Sequence, residues 1–190
     1  RGKRVAVIGG GNTAIDAVRT AIRLDAKQAT IVYRRSEEEM PARAEEIKHA
    51  REEGTEFFNL HNPVEYLGDE SGHVTAMRLE RMELGAPDES GRRRPVATGE
   101  IITVPVDEVI ICIGYSASTL VTKSMPELEV NKWGNIVVDE GKKTSMPDVY
   151  AGGDIVRGAA TVILAMGDGR RAATSMHQKL SGRIEEGALV

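Results

Sequence analysis

Three consecutive glycines, Gly9-Gly10-Gly11, constrain this chain more than any other feature of its sequence. Arg4 to Ile8 runs directly into them and reads as a strand buried on both faces. Asn12 to Leu24 runs out of them and sets Ala14, Ile15, Val18, Ala21 and Ile22 on one helical stripe. Gly9-Gly10-Gly11-Asn12-Thr13-Ala14 therefore reads G-x-G-x-x-A between a strand and a helix, the setting in which that pattern carries meaning. Gly9 serves the tight turn, Gly11 lets backbone approach a pyrophosphate, and Ala14 permits close packing of helix on strand. Free amides and the dipole at the helix start favour phosphate charge, by about 0.3–1 kcal/mol per exposed charge.

A second strand, Ala29 to Tyr33, follows a short connection and completes a βαβ unit. In an NAD site this strand ends in Asp or Glu, which accepts from the ribose 2′-hydroxyl. Here it ends in Tyr33-Arg34-Arg35. A carboxylate repels a 2′-phosphate, whereas two guanidiniums attract one and bind it bidentately, so the pattern favours NADP(H). Glu37, Glu38 and Glu39 lie near enough in sequence to be competing partners for the two arginines.

Further along, a helix is expected from about Ala42 to Glu53, closed by Gly54, and a third strand from Thr55 to Asn59. The pattern then changes to short strands, Val64 to Leu67 and Val74 to Leu84, which suggests an antiparallel excursion. Gly85 to Gly99 reads as a polar loop or hairpin end, Glu100 to Pro105 as another strand, and Asp107 to Ile113 as the last. Together these predict an α/β, Rossmann-like, three-layer domain over residues 1–114. Residues 115–190 read differently: a loop with Pro126, a small hairpin (Leu128 to Val130, then Ile136 to Asp139), a strand at Val149 to Ala151, and a closing helix from about Ala160 to Leu180. One helix and little sheet make a thin core, as expected of part of a domain whose other part is missing. Gly167-Asp168-Gly169-Arg170-Arg171-Ala172 repeats the G-x-G-x-x-A spacing. Only 23 residues follow Gly167, too few for a second strand and its ribose-binding residue, so this run is read as helix interior.

Gly152-Gly153-Asp154 places a lone carboxylate after a strand, at the end where α/β folds bind ligands. Ala159 to Val162 then starts a helix whose free amides can face an electron-rich ring edge. On the residues alone, a turn with a helix cap accounts for this run equally well.

Other classes are disfavoured by composition. Lys plus Arg number 25 against 29 Asp plus Glu, a formal charge of −4, which gives no global attraction to nucleic acid or anionic membrane. The single cysteine, Cys112, sits in the apolar run Val109 to Ile113 and reads as a small buried hydrophobe. One thiol cannot make a disulfide framework, a cysteine zinc site or a self-sufficient iron-sulfur site, and a reducing, cytoplasmic setting is expected. No apolar stretch approaches a membrane span. Gly91-Arg92-Arg93-Arg94-Pro95 reads as a solvated hairpin end, with docking of an acidic partner as the other reading. His49, His61, His73 and His177 lack metal-ligand spacing, and Trp133 reads as a turn residue packed on the small hairpin.

Three runs together resemble the small (beta) subunit of NADPH-dependent glutamate synthase and related FAD/NAD(P)-dependent oxidoreductases. They are Val7 to Asp16, Tyr33-Arg34-Arg35 with Met40-Pro41-Ala42, and Ala151-Gly152-Gly153-Asp154-Ile155-Val156-Arg157-Gly158. The similarity runs from Arg4 to about Leu180. It implies an NADPH-binding domain inserted in an FAD-binding domain, with hydride passing from nicotinamide to flavin and electrons then passing to iron-sulfur clusters and a partner's flavin. Gly9, Gly11, Asn12, Thr13 and Ala14 would hold the NADPH pyrophosphate, Arg34 and Arg35 the 2′-phosphate, and Gly114 would close the inserted domain near the nicotinamide. Gly153 and Asp154 resemble the run that binds the flavin ribityl chain, and Thr161 and Val162 the residues whose amides face the flavin pyrimidine edge. The family's cysteine-rich segment and first FAD-binding glycine motif are not in this sequence, so the chain resembles a C-terminal fragment, expected to be inactive alone. The implied partners are that missing FAD and iron-sulfur region and a large (alpha) glutamate synthase subunit or a ferredoxin-like acceptor. The alternatives are a module of another NADPH:ferredoxin-type reductase, a flavin-free NADP-dependent dehydrogenase and a non-catalytic NADP(H)-binding module. The short-chain version of the dehydrogenase needs Tyr-x-x-x-Lys, and none of Tyr33, Tyr66, Tyr115 or Tyr150 has Lys four places on.

Overall fold

Strands β1 (Arg4–Ile8) and β2 (Gln28–Tyr33) are apolar on both faces because both faces are covered. Val5, Val7, Ala29 and Ile31 pack with Ala14, Ile15 and Val18 of α1 (Asn12–Arg23) and with Ile47 and Ala50 of α2 (Ala44–Glu52). Ala6, Ile8 and Val32 point the other way, onto Met77, Leu79 and Val106. Parallel strands β3 (Glu56–Asn59) and β7 (Glu108–Ile111) complete a four-stranded sheet of order β3-β2-β1-β7, with Ala6 opposite Thr30 and Val109. The second sheet, β4 (His61–Gly68), β5 (Val74–Pro87) and β6 (Arg93–Pro105), is antiparallel, in the order β4-β5-β6. It covers the face that the helices leave open. The first part of the chain is thus mixed α/β in three layers: helices, parallel sheet, antiparallel sheet.

This computed structural model describes residues 1–89 and 91–182. The chain divides into two units, Arg1–Ile113 and a second beginning at Gly114. The largest departure from the sequence reading lies in the excursion. Gly85 to Gly99, read as a polar loop or hairpin end, is a hairpin end whose strands run further than expected: β5 extends to Pro87, β6 begins at Arg93, and the register shifts between Glu80 and Met82 and between Leu84 and Pro87. Polar, glycine-containing segments pair in this way when both flanking strands are long enough to continue a two-stranded ribbon. Asp88 closes the tip, its amide donating to Arg92 O (2.9 Å) and its Oδ1 accepting from Arg92 N (3.1 Å).

The second unit holds less regular structure than expected. The small hairpin reduces to one bridge, Val130 to Ile136, and the strand at Val149 to Ala151 to another, Lys143 to Tyr150. A short helix α3 (Thr119–Ser124), capped by Ser118 Oγ, occupies the stretch read as loop before Pro126. A one-turn helix α4 (Asp154–Arg157) precedes the closing helix α5 (Val162–Leu180), which starts two residues later than Ala160. Side-chain bonds take the place of a ladder here. Asn131 Oδ1 accepts from the amides of Trp133 and Asn135, and Asn135 Nδ2 reaches the carbonyls of Asp154 and Ile155. Trp133 does not pack on a hairpin; it is 68% exposed with Lys132 Nζ 4.4 Å from its ring centre.

Candidate functional site

Because β1 ends at Ile8 and α1 starts at Asn12, the three glycines are the whole turn. Gly9 lies at φ +142°, and a Cβ on it would sit 2.2 Å from the carbonyl oxygen of Cys112, just past β7. A Cβ on Gly10 would meet the Tyr33 ring at 2.7 Å. Gly11 is different: its backbone is extended (φ −89°), and the nearest atom to a Cβ placed on it would be Pro41 Cγ, at 4.0 Å. Folding therefore requires Gly9 and Gly10 to be small, while Gly11 faces open space.

That space lies at the start of α1. Gly11 O accepts from Ala14 N (3.0 Å) and Ile15 N (3.1 Å), which leaves the amides of Asn12 and Thr13 ahead of the first intrahelical bonds. The helix has no side-chain cap and no acidic residue in its first turn, so nothing competes with an incoming anion. Ala14 is fully buried against the sheet, whereas Asn12 and Thr13 are exposed. The Met40-Pro41-Ala42 run closes over the same turn: Ala42 N donates to Gly10 O (3.1 Å) and Arg43 N to Asn12 Oδ1 (3.0 Å).

Arg34 and Arg35 follow the end of β2, at the same edge of the sheet. Arg34 is exposed; Arg35 is half-buried, and its Nε has no hydrogen-bond partner. Neither forms an ion pair among the described residues, because the neighbouring glutamates turn elsewhere. Glu37 pairs with Arg51 of α2, and Glu39 Oε1 with Arg93 Nε of β6 (3.4 Å). Tyr33 donates its hydroxyl to Glu39 O (2.9 Å), and burial pushes its pKa up. The arrangement offers two uncommitted guanidiniums to an anion.

In the second unit, the Gly-Gly-Asp run is fixed from behind. A Cβ on Gly152 would lie 2.7 Å from Cβ of Asp168 in α5, and Gly153, at φ +76°, donates its amide to Asp168 Oδ2 (3.1 Å). Asp168 is fully buried and also accepts from Arg157 Nε (2.6 Å) and Nη2 (2.7 Å), with Lys142 Nζ at 2.9 Å. These donors hold its carboxyl far below the usual carboxylate range. Asp154 is exposed, and its carboxylate makes no bond among the described residues. Thr161 stands at the N-cap of α5 in extended conformation, without a side-chain cap bond, and Val162 and Ile163 are 76% and 78% exposed. Gly114 opens the unit with nothing within 4 Å of where a side chain would begin.

The G-x-G-x-x-A spacing at Gly167 is helix interior, yet Asp168 within it is the anchor of the Gly-Gly-Asp run, which sequence reading passed over. A signal existed: Ala165, Asp168 and Ala172 share one helical face, and an acid among small apolar residues on that face needs a buried partner. Among the described residues, no cluster of three or more His, Cys, Asp or Glu is placed to hold a metal, and no helix is long and apolar enough to cross a membrane. Cys112 is half-buried at the edge of the core, where burial raises its thiol pKa.

Residues 1–169 match the family described as pyridine nucleotide-disulphide oxidoreductase. The chain is 43% identical over 178 residues to the glutamate synthase [NADPH] small chain of Escherichia coli (strain K12), covering 90% of this chain and 38% of that protein. It is 46% identical over 181 residues to the NADP(+)-dependent formate dehydrogenase subunit beta of Moorella thermoacetica, covering 94% of this chain and 25% of that one. It thus spans well under half the length of these relatives. Among solved structures, thioredoxin reductase of T. acidophilum superposes with a TM-score of 0.78 at 27% identity, covering 95% of this chain and 54% of that one.

Proposed function

The chain belongs to the pyridine nucleotide-disulphide oxidoreductase family, and from that premise we propose that it is the NADPH-binding portion of a flavoprotein oxidoreductase of glutamate synthase small-subunit type. Residues 1–114 form the NADPH-binding domain and residues 115–190 the C-terminal part of an FAD-binding domain. When bound, NADPH would supply a hydride and FAD would be its acceptor. The chain's own residues position these groups and need contribute no acid or base.

Gly9 and Gly10 shape the turn, Gly11 admits the pyrophosphate, the amides of Asn12 and Thr13 donate to it, and Ala14 lets α1 approach the sheet. Arg34 and Arg35 bind the 2′-phosphate. Gly114 leaves room near the nicotinamide. In the second unit Asp154 accepts from the ribityl hydroxyls, on a loop held by Gly153, and the amides at Thr161 and Val162 face the flavin ring edge. In the complete protein, electrons pass on to iron-sulfur clusters and a large subunit for glutamate formation, in the cytoplasm. The likeness to a formate dehydrogenase beta subunit supports a second reading, in which the same NADPH and FAD module serves a different electron acceptor.

The observation that carries NADPH over NADH is the state of Arg34 and Arg35, unpaired while Glu37 and Glu39 are bound to other arginines. Calorimetric titration of the chain tests it: NADPH should bind about 100-fold more tightly than NADH. Equal affinities would overturn the assignment.

A further inference from the structure

The β5–β6 ribbon is longer than covering the parallel sheet demands. Its 14-residue strand β5 spans roughly 45 Å at about 3.3 Å per residue, and its tip, closed by Asp88, carries Arg92, Arg93 and Arg94. The described tip residues are exposed, and Arg93 reaches back from them to the first sheet's edge. Arg93 Nε meets Glu39 Oε1 at 3.4 Å, on the loop that follows the end of β2. Glu39 is also the residue whose carbonyl receives the Tyr33 hydroxyl, at 2.9 Å. The Arg93–Glu39 pair thus brings the start of β6 to the segment that follows Arg34 and Arg35 in the chain, and Arg92 precedes Arg93 directly.

Two buried atoms nearby are unmatched: Nε of Arg35 lacks an acceptor, and Oε2 of Glu39 lacks a donor. A bare carboxylate beside a 2′-phosphate would repel it, and Arg93 is the cation that neutralises Glu39. With the Glu39 charge offset by Arg93, the surplus cations are Arg34, Arg35 and Arg92, against the exposed Glu38 of the same segment.

We propose that the tip of the β5–β6 ribbon, through Arg93 and Arg92, forms a further wall of the site for a ribose phosphomonoester and contributes to selection of the phosphorylated dinucleotide. Arg93 acts in two ways, cancelling the Glu39 charge and adding its own hydrogen-bond donors, while Arg92 contributes charge. The antiparallel excursion thereby has a binding role in addition to covering a sheet face. This inference rests on the assignment of the 2′-phosphate to Arg34 and Arg35.

The test is equilibrium titration of the chain and its Arg93→Ala and Arg92→Ala/Arg93→Ala variants with NADPH, NADH and 2′,5′-ADP. Arg93 is nearly half exposed, so its removal leaves the core untouched; circular dichroism checks that the fold persists. Arg93→Ala should weaken NADPH and 2′,5′-ADP about tenfold and the double variant further, with NADH changed less than twofold. Arg93→Lys should restore part of the loss, and the lost affinity should shrink as salt rises. Unchanged NADPH affinity in both alanine variants, alongside a large loss in Arg34→Ala/Arg35→Ala, would overturn the role of the ribbon and leave the NADPH site standing. A chain that binds NADPH no better than NADH would overturn both.

Discussion

The three glycines of the turn look equivalent in sequence and are not equivalent in space. Gly9 is demanded by its φ of +142° and by the Cys112 carbonyl 2.2 Å from any Cβ, so Gly9→Ala should destabilise the first unit by roughly 2–4 kcal/mol. Gly11 has room for a side chain within the protein, so Gly11→Val should fold normally and lose NADPH binding. Circular dichroism melts paired with NADPH titrations separate the two outcomes; a Gly11→Val variant with full affinity would remove the pyrophosphate from this turn. At the end of β2, Arg34→Ala/Arg35→Ala should lower NADPH affinity about 100-fold or more, each charge-assisted bond contributing about 1.5–3 kcal/mol, and should leave NADH affinity nearly unchanged. Equal losses for both nucleotides would mean that the arginines stabilise the loop and do not read the phosphate. The sequence placed these arginines correctly at a strand end, but it left open whether Glu37, Glu38 and Glu39 neutralise them. That depended on where Arg51 and Arg93 lie, and both come from other elements.

At the scale of elements, helices α1 and α2 are joined by charge as well as by their apolar faces. Glu53 Oε1, just past the end of α2, accepts from Arg19 Nη2 (2.8 Å) and Arg23 Nη2 (2.6 Å) of α1. These bonds lower the Glu53 pKa from its ordinary 4.5 to about 2. A carboxylate with a depressed folded pKa contributes stability above its unfolded pKa and loses it as pH falls through the folded one. The Glu53 contribution is therefore complete above about pH 4.5 and disappears towards pH 2. Glu53→Gln should flatten that part of the acid limb and lower the neutral-pH Tm by about 2–4 °C, which urea midpoints and thermal melts from pH 2 to 7 would measure. An acid limb identical to that of the unaltered chain would show that Glu53 adds nothing to the fold. In the second unit, Asp168 links α5, α4 and the loop at Lys142. Removing it leaves Arg157 and Lys142 facing a void, so Asp168→Ala should lower the melting temperature of this unit by about 10 °C and speed amide exchange at Gly153 to Arg157. Unaltered exchange there would mean the Gly-Gly-Asp loop is held by other contacts.

For the molecule as a whole, the two units differ in how they are held together. The first has two apolar clusters on opposite faces of one sheet; the second relies on Leu128, Ile136 and Ala172 with a buried ionic anchor and side-chain bonds. On the proposed assignment Asp154 and the start of α5 would serve only the flavin end of FAD and leave most of it unenclosed, so the 190-residue chain should bind NADPH yet purify without FAD. Visible absorption after dialysis against FAD decides this; a stoichiometric flavin band would show the site to be complete within these residues. Sequence by itself determined the βαβ unit, the glycine turn, the parallel core strands and the basic strand end, since each rests on local periodicity or on a residue type within a short span. Tertiary structure decided the rest. It distinguished Gly11 from its neighbours, carried the hairpin strands into the polar stretch after Gly85, sent the glutamates to Arg51 and Arg93, and set Asp168 behind Gly153. Each depends on which distant groups a charge or a backbone edge meets, and periodicity along one segment carries no information about partners far away in the chain.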